Sequence, residues 1–237
     1  MIEINNLSKK FGKLTVLNGV NLSCKQGECI ALIGPNGCGK TTIIKSILGM
    51  VIPTQGTIEF KGEFISKNFE YRKHIGYMPQ IGRYPDNMTI GQILEMIKEI
   101  RKSGEQLDED LLNQFKLQDL FNKRMSTLSG GTTQKVSATL AFLFNPDVLI
   151  LDEPTAGLDP LASEILKDKI ITEKQKGKLI LITSHLLSEL DDLITQIIFM
   201  QDGIVQFHKT VDDLKSSTGE EKISKAIAKI LKSKNNE

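Results

Sequence analysis

The sequence predicts an α/β fold with a central, mostly parallel sheet, an antiparallel β portion near its start and an inserted helical segment. Three observations carry that prediction. The runs "CIALIG" (29–34), "VLILDE" (148–153) and "LILITSH" (179–185) are apolar at consecutive positions. A strand without a polar face belongs in the middle of a parallel sheet covered by helices. Residues 2–7, 16–22 and 57–60 alternate apolar with polar side chains instead, the period of half-buried strands. Residues 85–145 show no good strand pattern and read as helical.

Each element follows in chain order from its local pattern. The alternating segments 2–7 and 16–22 come first, then the buried strand 29–34. That strand runs through "GPNGCGKTT" into a helix over 39–48. After the alternating strand 57–60, a short apolar strand precedes "GYMPQ". Apolar residues at helical spacing mark 90–102, 108–115 and 130–144, the last opening after Ser129, a residue type that caps helices. The buried strand 148–153 leads through "AGLDP" to a helix over 161–174. The buried strand 179–185 is followed by a helix over 186–192. Near the end, about 219–235, Ile223, Ala226, Ile227, Ile230 and Leu231 fall on one helical face and lysines on the other. That pattern suits either a packing helix with a solvated face or a contact with a membrane surface or partner.

Bulk properties narrow the classes. The 237 residues suffice for one domain with a sizeable insertion, and 1–237 is read as a single domain. Apolar residues make up 40% and charged residues 25%, with a formal net charge of +1. Such a balance gives no global pull toward nucleic acid. No apolar run is long enough to span a membrane, and the N-terminus lacks the apolar core of a signal peptide, which predicts a cytoplasmic location. Cys24, Cys29 and Cys38 are too few and odd in number for a disulfide framework. Their spacing could form a metal site, but no histidine lies near them in sequence, and buried thiols are common.

The chemistry gathers at the C-terminal ends of the three buried strands, the edge where open parallel sheets bind ligands. After the first, Gly34, Gly39, Lys40 and Thr41 match G-x-x-x-x-G-K-[ST]. In this pattern glycines let backbone N–H groups wrap phosphate oxygens without a Cβ in the way. Lys40 would neutralise β- and γ-phosphates, Thr41 would hold Mg²⁺, and Thr42 is placed to reach the α-phosphate. The second strand ends in Asp152 and Glu153. An acid pair at such an exit suits a magnesium ligand (Asp152) and a general base (Glu153) that polarises the attacking water. The third ends in His185, where a γ-phosphate contact is weighed against a structural histidine. His74 and His208 have no such placement and read as surface residues. Gln80, in "GYMPQ", is either a turn residue or a sensor of Mg²⁺ and γ-phosphate. Phe11 is a core or edge aromatic, or a flat face for adenine. Asp159 is placed to cap the helix that follows "AGLDP".

"LSGGTTQK" (128–135) reads as an anion-binding helix N-terminus without a lysine at its mouth, a second phosphate grip in a chain that already has one. With the other motifs in this order, the sequence resembles the nucleotide-binding domain of ATP-binding cassette (ABC) proteins over nearly its whole length. The resemblance implies a P-loop NTPase fold of ABC type. It places Phe11 in the A-loop, Gly34, Pro35, Asn36, Gly37, Cys38, Gly39, Lys40, Thr41 and Thr42 in Walker A, and Gln80 in the Q-loop. Ser129, Gly130 and Gly131 fall in the signature, Asp152 and Glu153 in Walker B, Asp159 in the D-loop and His185 in the H-loop. The family would bind ATP with Mg²⁺ held by Thr41, Gln80 and Asp152, hydrolyse it with Glu153, His185 and Gln80, and pair two chains head to tail. Ser129, Gly130 and Gly131 of one chain would then complete the γ-phosphate shell on Lys40 of the other.

Three positions depart from the family's usual pattern. Thr132 replaces the glutamine of Leu-Ser-Gly-Gly-Gln, Phe11 the commoner tyrosine, and Cys38 fills a position usually small, where it is expected to be inert. The resemblance implies a separate integral-membrane permease as partner and a peripheral place on the cytoplasmic face of the cell membrane. Within the family, "LAFLFNPD", "GYMPQIGRYPDNMT" and the Gly-Gly-Thr signature are similar to ATPase subunits of Nos transporters. These serve copper-centre assembly in nitrous oxide reductase, which would add a periplasmic accessory protein receiving copper or a sulfur species. Alternatives are the ATPase of another exporter, or a soluble ABC ATPase acting on ribosomes or DNA. A single cassette with no heptad array and near-neutral charge argues against the last.

Overall fold

The computed structural model describes residues 1–101, 107–184 and 193–234. In chain order they form β1 (Ile2–Phe11), β2 (Leu14–Cys24), β3 (Cys29–Ile33), α1 (Lys40–Ile47), β4 (Gln55–Phe60), β5 (Glu63–Phe64) and β6 (Ile75–Met78). Next come α2 (Ile90–Arg101), α3 (Asp110–Gln114), α4 (Gly130–Phe142), β7 (Val148–Asp152), α5 (Pro160–Gln175) and β8 (Leu179–Thr183). The last are β9 (Gln196–Gln201), β10 (Ile204–Thr210), α6 (Val211–Thr218) and α7 (Ile223–Lys234). Contacts divide the chain into two compact units, Met1–Phe69 with Leu179–Glu237, and Glu70–Lys178.

In the first unit, β3 lies between β8 and β9 and runs parallel to both, with Ile30 opposite Leu181 on one side and Gln196 on the other. Every residue of β3 and β8 is buried, as a central strand requires. β10 closes against β9 antiparallel. A second, antiparallel sheet has the order β2-β1-β4-β5. Its strands are longer than alternation predicted, because bulges in β1 shift the alternation partway while pairing with β2 continues to Phe11. The helix expected over 39–48 is α1, with Ile43, Ile44 and Ile47 buried and Gly39 and Leu48 as its caps.

The second unit pairs β6 parallel to β7, Gly76 opposite Leu149 and Met78 opposite Leu151. Among the described residues no named strand lies between Met78 and Val148. The stretch expected to be helical carries α2, α3 and α4 with single turns of 3₁₀ helix, and one isolated bridge from Thr89 to Arg124. Arg101 ends α2 by donating to the carbonyl oxygens of Lys73 (2.8 Å) and Ile75 (3.4 Å) beside β6.

Several expectations need correction. The helix expected over 108–115 shrinks to α3, and the one over 130–144 ends at Phe142. Sequence reading missed β9, β10 and α6. The C-terminal helix begins at Ile223 rather than 219, because Gly219, at φ 68°, is the left-handed cap that ends α6. Ile223, Ala226 and Ile227 are buried, Lys222 and Lys225 are exposed, and Lys229 Nζ donates to Thr218 O at 2.6 Å, so α7 is a packing helix. The helix expected over 186–192 lies outside the described residues. Among the described residues no helix is long and apolar enough to cross a membrane.

Candidate functional site

The phosphate-loop motif occupies the turn from β3 into α1. Gly34 sits at φ 152°, and a Cβ there would lie 2.1 Å from the carbonyl oxygen of Met200 and 2.8 Å from Cys38 Sγ. The loop therefore passes closer to β9 than any side chain allows. It is also held from behind. Gly203 N donates to Cys38 O at 3.2 Å, and Asn18 N on β2 donates to Gly203 O at 3.0 Å. Cys38 is buried and free, a packing residue as expected. Pro35, Asn36, Gly37 and Thr41 face outward, and Thr42 is half-buried. Lys40 Nζ donates to the carbonyl oxygens of Gly34 (2.7 Å) and Pro35 (3.1 Å), so its described oxygen partners are neutral. An ammonium over backbone amides at a helix start fits a polyphosphate.

Phe11 ends β1 with its side chain half exposed and Lys9 Nζ 4.8 Å from the ring centroid. It pairs with Leu14 on β2, the strand that also carries the loop's anchor Asn18. One strand thus fixes both the flat aromatic face and the phosphate cradle.

In the second unit, β7 delivers Asp152, only 7% exposed, and Glu153 follows it. Glu153 has φ 51°, the left-handed region that costs a non-glycine residue about 1 kcal/mol and concentrates at functional sites. Gln80 Nε2 donates to Glu153 Oε2 at 3.0 Å, joining two residues singled out from separate motifs. From α4, Gln134 Nε2 reaches Glu153 O at 3.5 Å. On β6, burial and the neighbouring Asp152 charge push the Tyr77 phenol up to about 12, which keeps it protonated beside the acid pair.

Ser129 caps α4. Its Oγ accepts from Thr132 N at 3.3 Å and lies 2.9 Å from Thr132 Oγ1. Behind it, Lys135 Nζ pairs with Asp159 Oδ2 at 2.7 Å, and Asp159 Oδ1 caps α5 by accepting from Ala162 N at 2.9 Å. The Lys135 hydrogen bond, then the Ala162 amide, hold the Asp159 carboxyl below its usual range. A Cβ on Gly131 would lie 2.8 Å from Gly157 O, so the glycine lets the signature segment rest on the loop before α5. Asp159 therefore caps as expected and also ties the two loops into one body.

Some functional contacts were not legible in the sequence. Gln134 sits in an apolar helix where nothing marks it as a partner of Glu153, and Lys135 reads as an ordinary solvated lysine. His185 lies outside the described residues. His74 pairs with Asp147 at 2.9 Å on the surface. His208 is not a plain surface residue: it is half-buried, its Nε2 is buried with no hydrogen-bond partner among the described residues, and burial lowers its pKa. Cys24 and Cys29 are buried and form no disulfide among the described residues, and burial pushes the Cys24 thiol up to about 12.

A protein-family model described as ABC transporter matches residues 17–156. The chain belongs to the ABC transporter family. It is the ATP-hydrolysing cassette of that family. The lantibiotic transport ATP-binding protein SrtF of Streptococcus pyogenes is 35% identical over 212 residues, spanning 90% of this chain and 92% of that one. The Nod factor export ATP-binding protein I of Burkholderia orbicola is 34% identical over 207 residues, 85% of this chain and 68% of that one. A solved ATP-binding subunit of an ABC transporter superposes with a TM-score of 0.90 at 30% identity, covering 98% of this chain and 99% of its own. A dimeric cassette in a post-hydrolysis state with ADP and Pi shares the fold at a TM-score of 0.80 and 24% identity, covering 89% of this chain and 99% of its own. Phe11, Asp159 and His185 lie outside the matched family segment.

Proposed function

We propose that this ABC ATPase is the energising subunit of an exporter, that residues 1–237 act as one ATPase domain, and that two copies pair around ATP. The pairing supplies work to a separate integral-membrane permease, which holds the chain on the cytoplasmic face of the membrane. One observation carries the pairing. The cation on the signature helix, Lys135, is committed to Asp159, so Ser129, Gly130 and Gly131 offer a hydroxyl and amides but no spare positive charge. Lys40 in the phosphate loop has the reverse character, an ammonium whose oxygen partners are neutral carbonyls. Each grip lacks what the other has.

The residue roles follow from side-chain chemistry. Phe11 stacks on adenine, and the backbone of Gly34, Pro35, Asn36, Gly37, Cys38 and Gly39 wraps the phosphates. Lys40 neutralises the β- and γ-phosphates, and Thr42 contacts the α-phosphate. The Thr41 hydroxyl and the Asp152 carboxylate are oxygen donors of the kind Mg²⁺ takes, with Gln80 as a further oxygen ligand. Bound Mg²⁺–ATP supplies the electrophilic phosphorus. Glu153 takes the proton of the attacking water, Gln80 orients that water, and His185 contacts the γ-phosphate. Ser129, Gly130 and Gly131 of the second copy close the shell, and loss of the γ-phosphate lets the copies part.

The relative that serves Nod factor export supports the direction of transport. A second reading, service of a copper centre, is favoured only by the Gly-Gly-Thr signature and "LAFLFNPD"; the relatives named above export Nod factor or serve lantibiotic transport. ATPase stimulation of the chain with its permease by a copper or sulfur donor would support it, and stimulation by an unrelated cargo would refute it. Glu153→Gln tests the main reading. ATP binding should persist, turnover should fall about 10²–10⁴-fold, and ATP should stabilise a dimer. Normal turnover would remove Glu153 from the mechanism.

A further inference from the structure

The signature of this chain differs from the usual Leu-Ser-Gly-Gly-Gln at Thr132, and the structure gives that difference a chemical meaning. With Ser129 as N-cap, residue 132 is the third residue of α4. A glutamine there would make the S-x-x-Q pattern of a capping box, in which the long side chain reaches back to the backbone N–H of the cap. Threonine is too short for that. Its hydroxyl lies instead 2.9 Å from Ser129 Oγ, and its backbone N–H also points at Ser129 Oγ, 3.3 Å away.

A serine hydroxyl has two acceptor sites and one proton. The Thr132 N–H takes one acceptor site. When the Thr132 hydroxyl donates into the other, the proton of Ser129 is left to point away from the helix. A chain of hydroxyls aimed at an anion is cooperative, each bond polarising the next. We propose that Thr132 is a positioning residue that primes Ser129 as a donor to the γ-phosphate of the ATP held by a second copy of this chain. The role rests on the pairing of two copies proposed above. With no anion in front, the Ser129 proton can turn back to Thr132 Oγ1. With an anion present, the donor direction reverses and Thr132 donates to Ser129. The usual glutamine, bonded to the backbone, would leave Ser129 without that donor, so this chain secures its cap and its phosphate contact by a different arrangement.

The test uses the full chain carrying Glu153→Gln, with Mg²⁺–ATP, and measures the monomer–dimer constant by sedimentation. Adding Thr132→Val, which keeps the shape and removes the hydroxyl, should weaken the ATP-driven dimer about 25-fold, because one net hydrogen bond, worth about five-fold, is lost at each of the two sites of the pair. Thr132→Ser should restore it. In a Ser129→Ala background the valine should have no further effect, because the group it acts through is gone. A dimer constant unchanged by Thr132→Val overturns the proposal, as does an equal loss with and without Ser129. Both results leave the pairing intact. No ATP-driven dimer in the Glu153→Gln parent would overturn the pairing itself, and the role of Thr132 with it.

Discussion

A Cβ on Gly34 would fall 2.1 Å from Met200 O, a backbone atom that cannot rotate aside. The glycine motif therefore has two jobs at this position. It lets the loop lie against β9, and in the proposed site it also frees amides for phosphate. Gly34→Ala should abolish ATP binding, read by titration with a fluorescent nucleotide, and lower stability by about 2 kcal/mol, read by urea unfolding. Binding that survives with normal affinity would mean the loop can shift without harm. Glu153 shows a second kind of local tension. Its left-handed backbone is held by the second unit through Gln80 on its carboxylate and Gln134 on its carbonyl. The carboxylate is thus held in place by the protein itself, which is what the general-base role proposed for it requires.

At the scale of elements, α5 carries the clearest departure from what its sequence suggests. "KDKIITEKQKGK" looks like a solvated face, yet Glu173 is fully buried and Lys169 is 5% exposed. Lys169 Nζ meets Asp108 at 2.7 Å, Asp110 at 3.2 Å and Glu173 at 3.3 Å, joining α5 to the start of α3. Glu173 also pairs with Lys176 at 2.7 Å and with Lys178. Desolvation alone would raise the Glu173 pKa, but the hydrogen bonds from Lys176 and Lys178 prevail and lower it. Asp110 is lowered chiefly by its bond from Gln114. A depressed carboxylate stabilises fully above its ordinary pKa and loses that contribution as pH falls through the folded value. The loss therefore begins below pH 4.5 for Glu173 and below 3.8 for Asp110. Glu173→Gln takes the buried carboxylate from Lys176 and Lys178, while Lys169 keeps Asp108 and Asp110, and should cost about 3 kcal/mol at neutral pH. Urea midpoints measured between pH 7 and pH 3 should also fall less steeply in the variant. An equally steep acid limb would show that other carboxylates dominate.

For the whole molecule, topology and mass action matter most. The first unit is discontinuous in sequence, and β3 finds both its neighbours in residues after Lys178. Its parallel sheet cannot be completed until the chain has passed through the second unit, a long-range closure that slows folding. The proposed pairing predicts that ATPase rate per chain falls on dilution, because a lone copy lacks the signature contacts of a second. A specific activity that stays constant across the dilution series would count against a shared site. Much of this plan was legible in the sequence. The three apolar runs became β3, β7 and β8 because strands buried on both faces need no partner to reveal them. The phosphate loop, the acid pair and the signature cap were legible because each is a short backbone device encoded by adjacent residues. The pair β9 and β10 was not legible: half of its pattern is set by packing, and "IVQFHKT" is of intermediate burial along most of its length.

By itself, the sequence determined the parallel strand cores, the antiparallel edge, the nucleotide chemistry and the family, since all of these rest on patterns a few residues long. Tertiary structure decided which of those residues touch. Gln80 and Glu153 stand 73 positions apart and share a hydrogen bond; Lys135 and Asp159, 24 apart, share an ion pair. Burial of Glu173 and Lys169 was likewise settled only in three dimensions. Contacts across such separations depend on where whole elements pack, and a charge in sequence carries no mark of whether a partner will be waiting for it.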